Sequence, residues 1–248
     1  MRLRLMASFA RRRSLLKRLC PVLGLTAAVI STFGILWSLG VLEPQELKSL
    51  DHRFVRYARP ERANRNIVIV AIDEASLEHV EDALGRWPWP RSVHGYVVDF
   101  LRRGGARSIA FDILFSEPDK TSDEDDDAFA AAIRRAGNVT LAMQFERKPR
   151  KNARRRGPAG RSWRERSAVR VAGDGSLPVE EYSYANLPIP KLLSGARDVG
   201  YINLQADDDG PSRRLKPLFR HEGRYYPSFP LALAMRLLGA RQARFTRT

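Results

Sequence analysis

The chain has 248 residues, with 43 Lys and Arg against 28 Asp and Glu, a formal net charge of +15 and one cysteine. The positive charge is concentrated in two stretches, because residues 1–18 hold seven basic residues and no acid, and residues 147–172 hold eleven against Glu165 alone. The remainder is slightly acidic, so the composition argues against a nucleic-acid-binding protein, which would spread basic residues over a folded face. Cys20, as the single cysteine, excludes an internal disulfide.

The amino-terminal region has the pattern of a membrane anchor. Residues 19–42 form an uncharged run of 24 residues, which is long enough to cross a bilayer. The basic residues of 1–18 precede it, which predicts a cytoplasmic tail and a chain that continues on the periplasmic side of the inner membrane. The length favours an uncleaved anchor over a signal peptide, so membrane lipid is the first expected partner.

A connecting segment over 43–65 precedes the main folded domain, which we expect over 66–240. Helical spacing in the segment predicts a short helix over Leu47–Val55 that couples the anchor to the domain. The domain begins with the run Ile67–Ile72, which is continuously apolar and mostly β-branched, as in a strand buried on both faces.

Strands and helices alternate after this run. The segment Trp87–Pro90 must be an extended loop, because its two prolines are compatible with neither a helix interior nor a central strand. Further strands are predicted over Arg107–Phe115 and Val139–Phe145. The helix capped by Ser92 is expected to bury one apolar face, consisting of Val93, Tyr96, Val97, Phe100 and Leu101. An Ala-rich helix between the strands carries acids in its first turn, which the helix dipole favours.

The last third of the chain interrupts this order. Residues 147–181 are rich in Arg, Gly, Ser and Pro, which predicts a mobile basic insertion that does not contribute to the core. A hairpin is predicted from Val199–Leu204 and Arg213–Phe219 around the Asp209-Gly210 turn. A last helix precedes a tail over 241–248. The fold class is therefore α/β, a parallel-core sheet with covering helices and a C-terminal antiparallel hairpin, preceded by one transmembrane helix.

Carboxylates follow two of the predicted strands. Asp73 and Glu74 end the first and Asp112 ends the second, so we expect them at one edge of a parallel sheet, where ligands commonly bind. Trp87 and Trp89 lie either as a plug over the sheet or stacked on a ligand. The aspartates either cap helices, pair with Arg91 or Arg213, or hold a cation; an arginine pair is slightly favoured.

Several motifs in order resemble the type-2 CHASE family, the extracytoplasmic sensing domains of bacterial cyclases and of histidine or serine/threonine kinases. The specific ones are Gly85-Arg-Trp-Pro-Trp-Pro-Arg91 and Phe111-Asp-Ile-Leu-Phe-Ser-Glu-Pro-Asp119, supported by Gly200-Tyr-Ile-Asn203 and Pro227-Ser228. The resemblance implies a non-catalytic input domain. Its candidate ligand-binding residues are Asp73, Glu74, Trp87, Trp89, Arg91, Asp112, Glu117 and Asp119.

The resemblance also implies the partners. These are a small-molecule or envelope signal, a cytoplasmic cyclase or kinase output domain, and a second copy in a homodimer, with no nucleic acid and no cofactor. Complete members continue into further membrane helices and an output domain, whereas this chain ends at Thr248, so we expect an input module without its output module.

An enzyme is the alternative. Asp73, Glu74 and Asp112 would then form the acidic site of an exported metal-dependent hydrolase or phosphotransferase. Against it, the sequence contains no phosphate-binding loop, no Gly-x-Gly-x-x-Gly, no His-Glu-x-x-His and no Gly-x-Ser-x-Gly.

Overall fold

The structure, a computed structural model, describes residues 21–148, 161–172, 177–207, 209–240 and 242–244. Contacts between residues separate the chain into two units, Met1–Val70 and Ala71–Thr248.

The first unit contains the apolar helix. Helix α1 is described over Pro21–Ser38, and it is the one helix of the described residues that is long and apolar enough to cross a membrane. Helix α2 spans Glu43–Tyr57 and a short 3-10 helix spans Pro60–Arg62. The helix predicted over Leu47–Val55 is therefore present and extends beyond both predicted ends.

The strand predicted over Ile67–Ile72 is wrong, because residues 67–73 form no strand. The side chains of Val68 and Ile69 are 78% and 86% exposed. A β-branched run has the propensity for a strand, but a strand also needs a neighbour that hydrogen-bonds to it, and none of the described strands pairs with this run. The chain passes directly into helix α3, Glu74–Leu84.

The second unit is built on a sheet whose core is parallel. Strand β2, Val139–Glu146, lies between β1, Ile109–Phe111, and β5, Asp198–Tyr201, and is parallel to both. The first five residues of β2 are all buried, as the parallel arrangement requires. Strand β4, Tyr184–Asn186, pairs antiparallel with the end of β2. The prediction of a parallel-core α/β fold is confirmed.

Helices α4, Arg91–Arg103, and α5, Asp123–Ala136, pack against each other and cover the sheet. The face predicted to be buried on α4 is wrong, since Tyr96 and Phe100 are 74% and 70% exposed. The buried residues of α4 are instead His94, Gly95 and Val98. Apolar residues lie on two adjacent faces of this helix, and the position of α5 selects the face that is buried.

The described residues of the basic insertion include a helix, a strand and one core side chain. It contains helix α6, Arg161–Ser167, and strand β3, Arg170–Ala172, which pairs parallel with β8, Gln242–Arg244. The indole of Trp163 is 1% exposed and belongs to the hydrophobic core. The prediction that this insertion does not contribute to the core is therefore wrong for the residues that the structure describes. Ser167 and Val169 of the same segment are buried as well, and the backbone N–H of Val169 donates to the carbonyl of Tyr225 at 2.8 Å.

The C-terminal hairpin exists, but at a different place. Strands β6, Leu218–His221, and β7, Arg224–Pro227, pair antiparallel around Glu222 and Gly223, whose φ angles are +48° and +73°. Both central residues thus have the positive φ of a tight hairpin turn. The predicted Asp209-Gly210 hairpin is wrong, because residues 199–201 pair with β2 and residues 213–217 form no strand.

Two further helices complete the unit, α7, Pro190–Gly195, and α8, Phe229–Leu237. Helix α8 packs on β5 at Gly200, where an added Cβ atom would lie 2.7 Å from the Cα atom of Phe229. Any larger residue would separate the strand from the helix, which explains the glycine of the Gly-Tyr-Ile-Asn motif.

Candidate functional site

Two buried polar residues of the second unit, His94 and Asp126, lie near the beginning of α4, beside the segment that follows β1. The loop Trp87–Pro90 leads into α4, and the rings of Trp87 and Trp89 meet edge to face at 5.3 Å. Trp89 is 9% exposed and Trp87 is 40% exposed. The tryptophan loop therefore closes this corner of the unit while one indole stays in contact with solvent.

Asp119 holds the beginning of α4. Pro90, the residue before the helix, provides no side-chain cap, and the backbone N–H of Arg91 instead donates to Asp119 Oδ2 at 2.8 Å. The backbone N–H groups of Thr121 and Ser122 donate to Asp119 Oδ1 at 2.6 and 3.3 Å. Burial alone would raise the pKa of Asp119, but these backbone donors outweigh it and the pKa is lowered. Asp119 is therefore an ionised cap for α4 and for its own loop.

Asp126 lies behind Asp119 and is 1% exposed. Its Oδ2 accepts the backbone N–H of Asp119 at 2.9 Å, and its Oδ1 lies 3.9 Å from Arg91 Nε. Burial raises the pKa of Asp126, although the hydrogen bond from Asp119 and the charge of Arg91 act in the opposite direction. Asp119 and Asp126 thus form a chain of carboxylates that ends at the guanidinium of Arg91.

The guanidinium of Arg91 is held from several sides. It lies over the ring of Phe115 at 4.5 Å, and Nη2 donates to the backbone carbonyl of Glu117 at 3.4 Å. The side chain is only 12% exposed. A cation this deep needs compensation, which Asp126 and the aromatic face provide together.

His94, one turn into α4, is enclosed by aromatic rings. Its ring centroid lies 5.3 to 5.9 Å from those of Trp87, Phe111, Phe115 and Phe129. Burial, and then the positive charge of Arg91, lower the pKa of His94 to about 4. The imidazole is therefore neutral at neutral pH. We call Trp87, Trp89, Arg91, His94, Asp119 and Asp126 the Arg91 cluster.

The Arg91 cluster has unused hydrogen-bonding capacity. Among the described residues, four buried polar atoms in it have no hydrogen-bond partner: Trp89 Nε1, Arg91 Nε, His94 Nε2 and Asp126 Oδ1. Native proteins leave few buried polar atoms unpaired, so a concentration of four in one cluster is unusual.

The structure brings together five of the eight predicted site residues. Trp87 contacts Trp89, Arg91 contacts Asp119, and Glu117 contributes its backbone carbonyl to Arg91 while its own side chain is exposed.

The other three predicted residues, Asp73, Glu74 and Asp112, lie apart and are exposed. Asp73 caps α3, accepting the backbone N–H of Ser76 at 2.9 Å and its hydroxyl at 2.5 Å, and these bonds lower the pKa of Asp73. The favoured arginine pair for Asp73 and Asp112 is wrong. Arg91 pairs with Asp126, and Arg213 pairs with Asp207 and Asp209 at 3.1 and 2.7 Å.

His94 and Asp126 are cluster members that the sequence reading missed. Both follow a helical pattern that could have revealed them, because His94 precedes Val98 by four residues and Asp126 precedes Ala130 by four. Asp126 was missed because it belongs to a run of acids at the beginning of α5, and helix capping accounts for such a run. Within the described ranges, no group of three or more His, Cys, Asp or Glu side chains could hold a metal ion.

Comparison with known proteins gives one match. The model of the CHASE2 domain matches residues 25–247 of the 248. No curated protein and no solved structure matches the chain. The matched range contains both motifs that meet in the Arg91 cluster, the tryptophan-proline loop and the segment that ends in Asp119. The chain therefore belongs to the CHASE2 family of extracytoplasmic sensory domains.

Proposed function

We propose that this chain is the membrane-anchored input part of a bacterial signal-transduction protein, and that it receives a signal without catalysing a reaction. The observation that carries the proposal is the family match over residues 25–247, which includes most of the apolar helix α1. An extracytoplasmic sensory domain joined to such a helix is held at the membrane surface, where it can pass a signal inward.

The orientation rests on charge. Seven basic residues in 1–18 precede α1, which supports an amino terminus in the cytoplasm and a second unit in the periplasm. Helix α1 then remains as an anchor in the inner membrane.

The Arg91 cluster is the proposed place of signal reception. It combines a solvent-exposed indole, a buried cation and unpaired polar atoms around the beginning of α4. A small polar signal that satisfied these atoms would change how α4 and α5 pack, because Arg91 and Asp126 belong to these two helices. The output partner is a cyclase or kinase domain in the cytoplasm, and a homodimer is the arrangement that would transmit the change.

Reporter fusions test the topology. Alkaline phosphatase fused after Thr248 should be active, and a fluorescent protein that folds only in the cytoplasm should be dark at the same position. The mass of the purified chain should include residues 1–18. The reverse pattern of reporters would contradict the proposed orientation. A purified chain that lacks its first residues would contradict the proposal that α1 is an uncleaved anchor.

A domain graft tests the input role. Residues 43–240 would replace the corresponding domain of a CHASE2 protein that carries a cyclase, and cyclic nucleotide production would be measured. Trp87→Ala in the graft should change the output, whereas Arg214→Gln, an exposed residue outside the cluster, should not. A cyclase protein from which the input domain has been deleted is a further control. The proposal would be contradicted if this protein, the graft and both variants all produced cyclic nucleotide at the same rate.

The hydrolase alternative receives no support from the site geometry. Asp73 is engaged as a helix cap, and it forms no metal-binding group with Glu74 and Asp112 among the described residues.

A further inference from the structure

A cavity lies at the end of the sheet opposite the Arg91 cluster. It has a volume of about 540 Å³ and opens where β2 and β5 begin, with Gly137 before one strand and Asp198 at the start of the other. Residues 165–170 of the basic insertion form one wall, and α8 forms the other. This size is within the range of cavities that bind small molecules.

Four arginines line this cavity, from four different parts of the chain: Arg166, Arg170, Arg197 and Arg236. They face two acids, Glu165 and Asp198, so the lining has a net positive charge. We call it the arginine cleft.

Two of these arginines are already engaged. Arg236 Nε lies 3.6 Å from Asp198 Oδ2, and Arg166 Nη2 donates to the carbonyl of Leu193 at 3.2 Å. The side chains of Arg170 and Arg197 are exposed and contact no carboxylate in the part of the chain that the structure describes. These two guanidinium groups are therefore available to an anion, which they can bind in a bidentate manner.

Apart from the charged residues and Ser167, the lining of the cleft is apolar. Val169, Val199, Ala232 and Met235 contribute to its lining, and a smaller cavity of about 360 Å³ shares Arg197, Met235, Arg236 and Ala240 with it. A free inorganic anion would leave this apolar surface uncovered. A molecule with one acid group and a short apolar body would pair with the arginines and also cover the apolar surface.

We propose that the arginine cleft binds small organic anions, a carboxylate on a short aliphatic or aromatic body, through Arg170 and Arg197. The inference goes beyond the proposed function, because it concerns binding at a second place and does not depend on signalling.

Equilibrium dialysis of the full chain tests this proposal. The chain would be held in nanodiscs of zwitterionic phosphatidylcholine, with empty nanodiscs as the blank, and the labelled probes would be hexanoate and benzoate. At least one probe should bind saturably, with one molecule per chain. Hexan-1-ol, which lacks the charge, should not compete, and inorganic phosphate should compete only at concentrations at least tenfold higher.

Variants assign the binding to the cleft. Arg170→Gln and Arg197→Gln should each weaken probe binding by about tenfold or more, as loss of one charge-assisted contact does. Arg214→Gln is the matched control, an exposed arginine outside the cleft, and should bind as the unmodified chain does. Met235→Gln should weaken the binding of hexanoate but leave the phosphate concentration needed for competition unchanged. Circular dichroism establishes that each variant is folded.

Three results would overturn the proposal. These are the absence of saturable binding of either probe, equal binding by the unmodified chain and both arginine variants, and phosphate competing as well as hexanoate. The last would mean that the cleft recognises charge alone.

Discussion

Arg91 and Asp119 are 28 positions apart in the sequence, and a hydrogen bond of 2.8 Å joins the backbone N–H of one to the carboxylate of the other. Through it, the end of the Phe-Asp-Ile-Leu-Phe-Ser-Glu-Pro-Asp motif caps the helix that follows the tryptophan-proline loop. The two most specific motifs of the chain are therefore one structural unit, and four predictions concern this unit and the core beside it.

Asp119→Ala should destabilise the fold by about 1 to 2 kcal/mol, because it removes the cap of α4 and leaves the backbone donors of Thr121 and Ser122 without their acceptor. The free energy of unfolding would be measured by chemical denaturation of the full chain in detergent. Asp112→Ala is the control from the same motif, since Asp112 is exposed, and it should leave stability nearly unchanged. Equal effects of the two substitutions would contradict the capping role.

Asp126→Ala should cost more, about 3 kcal/mol, because it removes the buried carboxylate that pairs with the Arg91 guanidinium and leaves the N–H of Asp119 without an acceptor. Its neighbour Asp127 provides the control. Asp127 forms an exposed pair with Lys191 at 2.8 Å, so Asp127→Ala should barely move the denaturation midpoint. A large effect at Asp127 and none at Asp126 would show that the buried pair has been assigned to the wrong acid.

His94 predicts a pH dependence of stability. The folded pKa of about 4 is lower than the ordinary value near 6.5, so between these values the unfolded state binds more protons. Stability is therefore highest above about pH 6.5 and falls as the pH is lowered towards 4, and the total loss due to His94 is about 3 kcal/mol.

Asp126 acts in the opposite sense, because its pKa is raised and its contribution falls as the pH rises. The comparison of the unmodified chain with His94→Phe therefore isolates the imidazole. Unfolding free energies measured at pH 4, 5, 6 and 7 should fall less steeply with decreasing pH in His94→Phe. Parallel curves would mean that His94 is already protonated, or is exposed, in the folded protein.

The basic insertion should contribute to stability. Trp163→Ala removes a buried ring that lies 5.4 Å from Tyr226, so it should cost about 3 to 5 kcal/mol. Replacing residues 150–174 with a Gly/Ser linker should lower the melting temperature by several degrees, since it removes α6 and β3. Glu165→Ala, an exposed position on the same helix, is the control. An unchanged melting temperature for the linker variant would restore the view of the insertion as a separate loop.

The sequence by itself determined the features that depend on neighbouring residues. The uncharged run before Glu43 is long enough for a membrane helix whatever follows it. The prolines of Trp87–Pro90 forbid a helix there, and alternating strands and helices predict an α/β fold. Asp119 could be nominated because it stands in a specific motif.

Tertiary structure decided which groups meet. Asp73 and Asp112 looked like partners because each follows an apolar run, yet the first run forms no strand, and Asp126 on α5 takes the place beside Arg91. The hairpin turns at Glu222-Gly223, although Asp209-Gly210 has the stronger local signal. Local propensities change the free energy of folding by a few tenths of a kcal/mol to about 1 kcal/mol. Leaving a buried charge unpaired, or losing a buried indole, costs several kcal/mol. Long-range packing therefore selects among the alternatives that the sequence leaves open.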